Sequence, residues 1–261
     1  MSQPISMRLI RLFLRSTSIV IVATSLLFPH GVQAEGTVLG VLSDEGANLV
    51  TLSASHLAAE PIATLEPAKV ITADRTRGTF WLAGTDRLSA YDRTGQSLFS
   101  APIEISPSAG STRRLAVDAA DGSVWLAAGT SLLGFTAGGQ PIHSVEIGTS
   151  AVEIAVDSRT RRLWWASSDQ LVAINTLNGF EDHRISVADG PAITAIALAS
   201  PGSNGDDAGA ETFEPVAPRD LWMSRGSQLF KLSPTGELLR ERELNLDASV
   251  SALVSYGNGA V

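Results

Sequence analysis

The feature that most constrains this chain is a tryptophan that returns on a nearly fixed beat. "ITADRTRGTFWLAG" places Asp74 seven residues before Trp81, "LAVDAADGSVWLAA" places Asp118 seven before Trp125, and "IAVDSRTRRLWWAS" places Asp157 seven before Trp164. A glycine follows each tryptophan by 14 or 15 residues, at Gly95, Gly139 and Gly179, and a fourth copy carries Trp222 and Gly236. Successive tryptophans are 44, 39 and 58 residues apart, and the long interval holds an insertion, Pro201 to Arg219, rich in Gly, Asp and Glu. A period of about 40 residues means stacked copies of one supersecondary unit, none of which buries its apolar face alone.

Within a copy the pieces are short strands. "RLAVD", "SVWLAA" and "SLLGFT" are apolar runs of four to six residues, separated by the turn signals "AADG", "AGT" and "AGGQ". "PIHSVEI" then alternates apolar and polar, as a half-exposed edge strand does. Four strands per roughly 40 residues is the arithmetic of a propeller blade. Helical periodicity is absent after residue 35, and no leucine ladder of about 20–29 residues is present. The expected fold is all-β: a β-propeller of four-stranded antiparallel blades over residues 35–261, about five blades here and part of a larger propeller.

Each repeated position has a physical role. The first strand, "LAVD" or "IAVD", is small and apolar because blades crowd at the axis. The tryptophan on the second strand fills the wedge between neighbouring sheets, since an aromatic side chain buries about 150–250 Å². The glycine after the third strand allows a turn that needs positive φ. Asp74, Asp118 and Asp157 are expected to be structural, accepting hydrogen bonds from turn amides.

Residues 1–34 are read as a secretory signal peptide. Arg8, Arg11 and Arg15 precede a 13-residue, mostly apolar run, "STSIVIVATSLLF", and "VQA" supplies small residues before Glu35, the first acidic residue. The run is short of the roughly 20 apolar residues of a membrane span. The expected address is therefore secreted, periplasmic or cell-surface, with no stable membrane span left after cleavage. The whole chain has 19 basic and 27 acidic side chains, net −8, and removing three arginines with no acid leaves −11. That charge repels phosphate backbones and argues against a nucleic-acid partner. The chain has no cysteine, which excludes disulfides, a thiol nucleophile, a Cys-ligated metal and a lipidated-Cys anchor.

The frame "AVD…G.VW.A…L..F…G", seen at 116–139 and less fully at 155–179 and 73–95, resembles NHL-type repeats and the related propellers of the streptogramin-lyase group. The resemblance implies a propeller fold, in a family that includes lyases, lactonases, sensor ectodomains and binding scaffolds. The lyase activity would need a catalytic His and acidic metal ligands facing the central channel. His143 and His183 each lie four residues after the turn glycine, which places both on outermost strands as exposed edge residues. His56 stands alone near the amino-terminal end. No G-x-S-x-G, H-E-x-x-H, phosphate-cradling glycine loop or EF-hand spacing is present. "GSNGDDAGAE", Gly202 to Glu211, is read as a solvated acidic loop rather than a calcium site.

At the amino-terminal side, "TVLGVLS", "ANLVTLSAS" and "PIATLEP" match second, third and fourth strands, so the mature chain opens without the inner strand of its first blade. "SALVSYGNGAV" at the other end matches the start of another copy. It is expected either to supply the missing inner strand or to lead into further blades, the second being the reading preferred here.

No catalytic constellation and no cofactor or metal site emerges. The expected function is an exported binding scaffold; the alternatives are a metal-dependent propeller lyase or hydrolase and the sensory ectodomain of a larger membrane protein. The loops joining second to third strands should gather on one face with the links between blades: "GTDR", "AGTS", "SSDQ" and "SRGS". Asp86, Arg87, Asp169 and Arg225 on these loops are the candidate ligand contacts, for a protein or carbohydrate partner.

Overall fold

A computed structural model describes residues 20–24, 37–43, 46–52, 59–104, 113–187, 190–199 and 219–243, with residues 250 and 253. Every regular element among the described residues is a strand. The first sheet contains β1 (Val20–Thr24), β2 (Thr37–Ser43), β3 (Gly46–Leu52) and β4 (Ala59–Thr64). The second contains β5 (Val70–Asp74), β6 (Thr79–Ala83), β7 (Arg87–Asp92) and β8 (Ser97–Pro102). The third contains β9 (Arg113–Val117), β10 (Val124–Ala128), β11 (Ser131–Phe135) and β12 (Pro141–Glu146). The fourth contains β13 (Glu153–Asp157), β14 (Arg162–Ala166), β15 (Gln170–Asn175) and β16 (Glu181–Ser186), and the fifth β17 (Ile193–Leu198), β18 (Leu221–Arg225), β19 (Gln228–Leu232) and β20 (Leu238–Glu243). Each sheet is an antiparallel meander in chain order, the blade read from the sequence. The chain divides into two compact units, residues 1–104 with blades 1 and 2 and residues 105–261 with blades 3 to 5.

The repeat is visible in the register. Trp81, Trp125, Trp164 and Trp222 stand opposite Ala90, Gly134, Ala173 and Lys231 on the third strand of their own blade. One residue on, at Tyr91, Phe135, Ile174 and Leu232, the third-to-fourth pairing shifts by a bulge, and blade 1 bulges likewise between Leu49 and Val50. The turn that follows holds Gly95, Gly139, Gly179 and Gly236 at φ between 74° and 85°, as the turn chemistry requires.

Blades pack face to face through their second and third strands. In the second unit, Trp125, Ala127 and Leu132 of blade 3 meet Leu163, Trp165, Val172 and Ile174 of blade 4. Trp164, Leu171 and Ala173 of blade 4 meet Ile196, Leu221, Met223 and Leu232 of blade 5. Trp81, Trp125 and Trp164 are at most 1% exposed, as the wedge requires, while the fourth repeat tryptophan, Trp222, is only half-buried. In the first unit, Leu42, Leu49 and Leu65 pack on Ile71, Phe80, Leu82 and Tyr91.

One expectation changes: His143 and His183 are not exposed edge residues. In the uncleaved chain Val20–Thr24 pairs with Val38–Leu42 and occupies the inner position of blade 1. The cause is a shared composition, because "VIVAT" serves as the middle of an apolar leader run and also reads like the inner strand "VITAD". His143 is half-buried and its ring stacks on Trp125, with centroids 5.5 Å apart and planes 10° from parallel. Gly134 between them has no Cβ to hold the two apart. His183 is half-buried as well. The insertion up to Pro218, with the acidic loop at 202–211, His56 and nearly all of the last eleven residues lie outside the described residues.

Candidate functional site

The three aspartates define one end of the blades. Asp74, Asp118 and Asp157 are at most 2% exposed. Each accepts hydrogen bonds from the turn that follows it: Thr76 N at 2.9 Å, Ala120 N at 3.0 Å and Arg159 N at 3.2 Å respectively. They are structural, as expected, and two of them also tie blades together. Arg161 Nη1, on blade 4, donates to Asp118 Oδ2 of blade 3 at 2.9 Å and lies 2.8 Å from Asp121 Oδ2. Thr176 Oγ1 adds a bond to the same Asp118 oxygen. Arg219 of blade 5 repeats the device on Asp157, its amide donating at 3.2 Å and its Nε 3.8 Å away.

At the opposite end the predicted loop face is stitched together by main-chain bonds. The amide just past each fourth strand donates to the loop between second and third strands: Leu65 to Ala47, Ile103 to Asp86, Ile147 to Thr130 and Val187 to Asp169, all at 2.7–2.8 Å. The four candidate contacts lie on such loops. Asp86 and Arg87 are brought together on the wall of a cavity of about 340 Å³, with Glu66, Pro67, Leu82 and Ser89. Asp169 and Arg225 meet instead at the link entering blade 5. Asp169 accepts the Val187 amide on its carbonyl, while its carboxylate accepts a bond from Ser167 Oγ at 2.7 Å. Arg225 donates to Pro191 O at 2.7 Å and Val187 O at 2.8 Å, so it positions that link.

The cavity contains polar groups that the loop sequences did not point to. Ser89 Oγ donates to Glu66 Oε2 at 2.9 Å and lies 3.0 Å from Ser100 Oγ, which also accepts Arg87 Nη1 at 2.9 Å. Burial, reinforced by the Glu66 charge, raises the Tyr91 phenol above its usual range against opposing bonds with the Glu66 main chain and Ser89. The signal for these residues was internal. Where blade 2 has Ser89, blades 3, 4 and 5 have Leu133, Val172 and Phe230; where it has Tyr91, they have Phe135, Ile174 and Leu232.

A second missed pair lies on the inner strands. Arg114 Nε is 3.6 Å from Glu153 Oε2 and donates to Val152 O at 2.6 Å. Burial pushes the Glu153 carboxyl up, partly offset by the Arg114 charge and the Ile154 amide. Among the described residues no group of three or more His, Asp or Glu side chains is arranged to hold a metal, and no helix is long and apolar enough to cross a membrane.

Comparison of the sequence with known protein families finds no match, and comparison with curated proteins finds none. Solved structures do match in fold. The chain is similar to BBS1N as crystallised in complex with ARL6DN, at TM-score 0.58 and 13% identity over 81% of this chain and 63% of that one. It is similar to Sqt1 of Saccharomyces cerevisiae, at TM-score 0.57 and 15% identity over 88% and 63%. It is also similar to the Pan2 WD40 domain of Neurospora crassa, at TM-score 0.52 and 12% identity over 85% and 66%. The chain spans just under two thirds of each of these. The fold is thus a β-propeller of four-stranded antiparallel blades, and the chain is a propeller repeat protein.

Proposed function

We propose that this chain is an exported propeller of the NHL type that works as a binding scaffold, holding a partner on the face built from the second-to-third-strand loops and the links between blades. The observation that carries the reading is the cavity between the blade 1–2 link and the Thr85–Arg87 loop, where Asp86 and Arg87 stand together beside the buried Ser89 hydroxyl and the Glu66 carboxylate it bonds. Rigid, hydrogen-bonded strands present that loop, which is where propeller-like scaffolds put variable function. The propeller of BBS1N, crystallised with ARL6DN, is an instance of the fold holding a protein. Asp169 and Arg225 contribute by fixing the Val187–Ile193 link on the same kind of loop. The apolar run within residues 1–34 supports export to the periplasm, cell surface or medium.

A photo-crosslinking residue at Thr85, compared with one at Thr94 in the turn at the other end of blade 2, tests the binding face in the organism that makes the protein. Discrete adducts from Thr85 and none from Thr94 are expected. Adducts of equal yield from both, or none from Thr85, would remove the reading. Amino-terminal sequencing of the exported protein should begin at Glu35, and a retained leader would contradict the export step.

A further inference from the structure

Blade 2 departs from the repeat at two core positions, and we propose that this departure builds a receptor for one basic side chain, lysine or arginine, presented by a protein partner. The inference rests on the loop-face reading above and adds the chemistry that the face selects.

A buried hydroxyl gains nothing over the apolar residue of blades 3, 4 and 5 unless its hydrogen bond does something. Ser89 is 2% exposed, and its bond fixes one oxygen of the exposed Glu66 carboxylate. Asp86, on the facing loop, has no side-chain partner among the described residues. Arg87, a cation that lines the same cavity, donates to the Ser100 hydroxyl and forms no ion pair with either carboxylate among the described residues. Two carboxylates and one guanidinium therefore line one cavity of about 340 Å³, an excess of one negative charge. Leu82 and Pro67 line it too, and they offer an apolar wall for the methylene stem of a long basic side chain. Gly84 lets this wall close up, since a Cβ there would lie 3.2 Å from Pro67 O. The net charge of −8 draws cations toward the surface. A neutral sugar can donate hydroxyls to these carboxylates but leaves their charge uncompensated.

The test titrates the full-length chain with acetyl-Gly-Arg-Gly-amide, acetyl-Gly-Lys-Gly-amide, acetyl-Gly-Glu-Gly-amide and maltotriose, read by amide chemical shifts. The two basic peptides should shift resonances of Glu66 and Thr85–Arg87, while the acidic peptide and the sugar should not. Glu66→Gln and Asp86→Asn should each weaken the basic peptides by about fivefold, a typical value for one partly exposed ion pair. Both positions are exposed, so both variants should keep the parent melting temperature. The affinity should fall as salt rises from about 50 to about 500 mM. Binding of maltotriose or the acidic peptide in place of the basic ones overturns the proposal, as does basic-peptide binding indifferent to both substitutions. Adducts at Thr85 without any basic-peptide binding would leave the loop face standing and show the basic-side-chain chemistry to be wrong.

Discussion

The seam between blades 1 and 2 and the seams joining blades 3, 4 and 5 are built from the same repeat but finished differently. In the second unit, the position next to the tryptophan's partner is apolar, Val172 in blade 4 and Phe230 in blade 5. The end opposite the loop face is latched by Arg161 on Asp118 and Arg219 on Asp157. In the first unit the corresponding position is the hydroxyl of Ser89, beside a cavity. The residue in the place of the latching arginine is Gly78, three before Trp81. Asp74 is satisfied within its own turn, by Thr76 N, Arg77 N and Arg77 Nη1 at 3.0 Å. One repeat thus serves either as a closed joint or as a receptive one, according to two positions per blade.

Arg161 carries evidence that the latch matters. It is the one non-glycine described with positive φ, at 57°, where blades 2 and 3 place Gly78 and Gly122 at 68° and 79°. A side chain there costs roughly 1–2 kcal/mol. The ion pairs with Asp118 and Asp121 offset that strain.

The largest effect that would sharpen the contrast is in the wedge. Trp125→Ala should cost about 3–5 kcal/mol in urea unfolding, because the indole is fully buried between blades 3 and 4. Asp118→Ala should cost about 2–3 kcal/mol, since it strands Arg161 and Thr176, less than a wholly buried pair because Arg161 is 26% exposed. Asp74→Ala, whose partners belong to its own turn, should cost about half as much. Equal costs at the two aspartates would show that the Arg161 latch adds nothing at Asp118. Smaller still is the difference between Arg161→Ala and Arg161→Gly. Both lose the latch, but glycine relieves the strain, so the glycine variant should be more stable by about 1 kcal/mol.

The smallest effect is electrostatic. Burial would raise Asp121, but the Ser123 amide and hydroxyl and the Arg161 charge outweigh it and hold the carboxyl below its usual range. A depressed carboxyl stabilises the fold above its unfolded pKa of about 4 and loses that contribution as pH falls through the folded value. Stability measured by urea titration should therefore fall in acid below about pH 4, and Arg161→Gly should flatten part of that fall.

The fold was legible because wedge, turn and inner strand each demand a residue type at a fixed spacing. Trp125, Gly139 and Asp118 announce themselves in one dimension. The loop face was legible as well, since strand alternation decides which loops share an end. The site was only half legible. Asp86 and Arg87 were visible as loop charges, but Glu66 sits in a link with no repeated frame and Ser89 looks unremarkable until aligned with Leu133, Val172 and Phe230. The latch was hidden for a related reason: its two ends lie 43 residues apart and in different blades. The strand at Val20–Thr24 was hidden because an apolar, β-branched run satisfies two roles at once.

The most direct test puts the sibling residue back. Ser89→Val restores the apolar core of blades 3 to 5, and its melting temperature and its titration by acetyl-Gly-Arg-Gly-amide are measured on the same sample. A rise in melting temperature of roughly 2–4 °C, for a gain near 1 kcal/mol, together with weaker peptide binding, is the expected result. A lower melting temperature with binding unchanged would make Ser89 an ordinary structural hydroxyl and contradict the account.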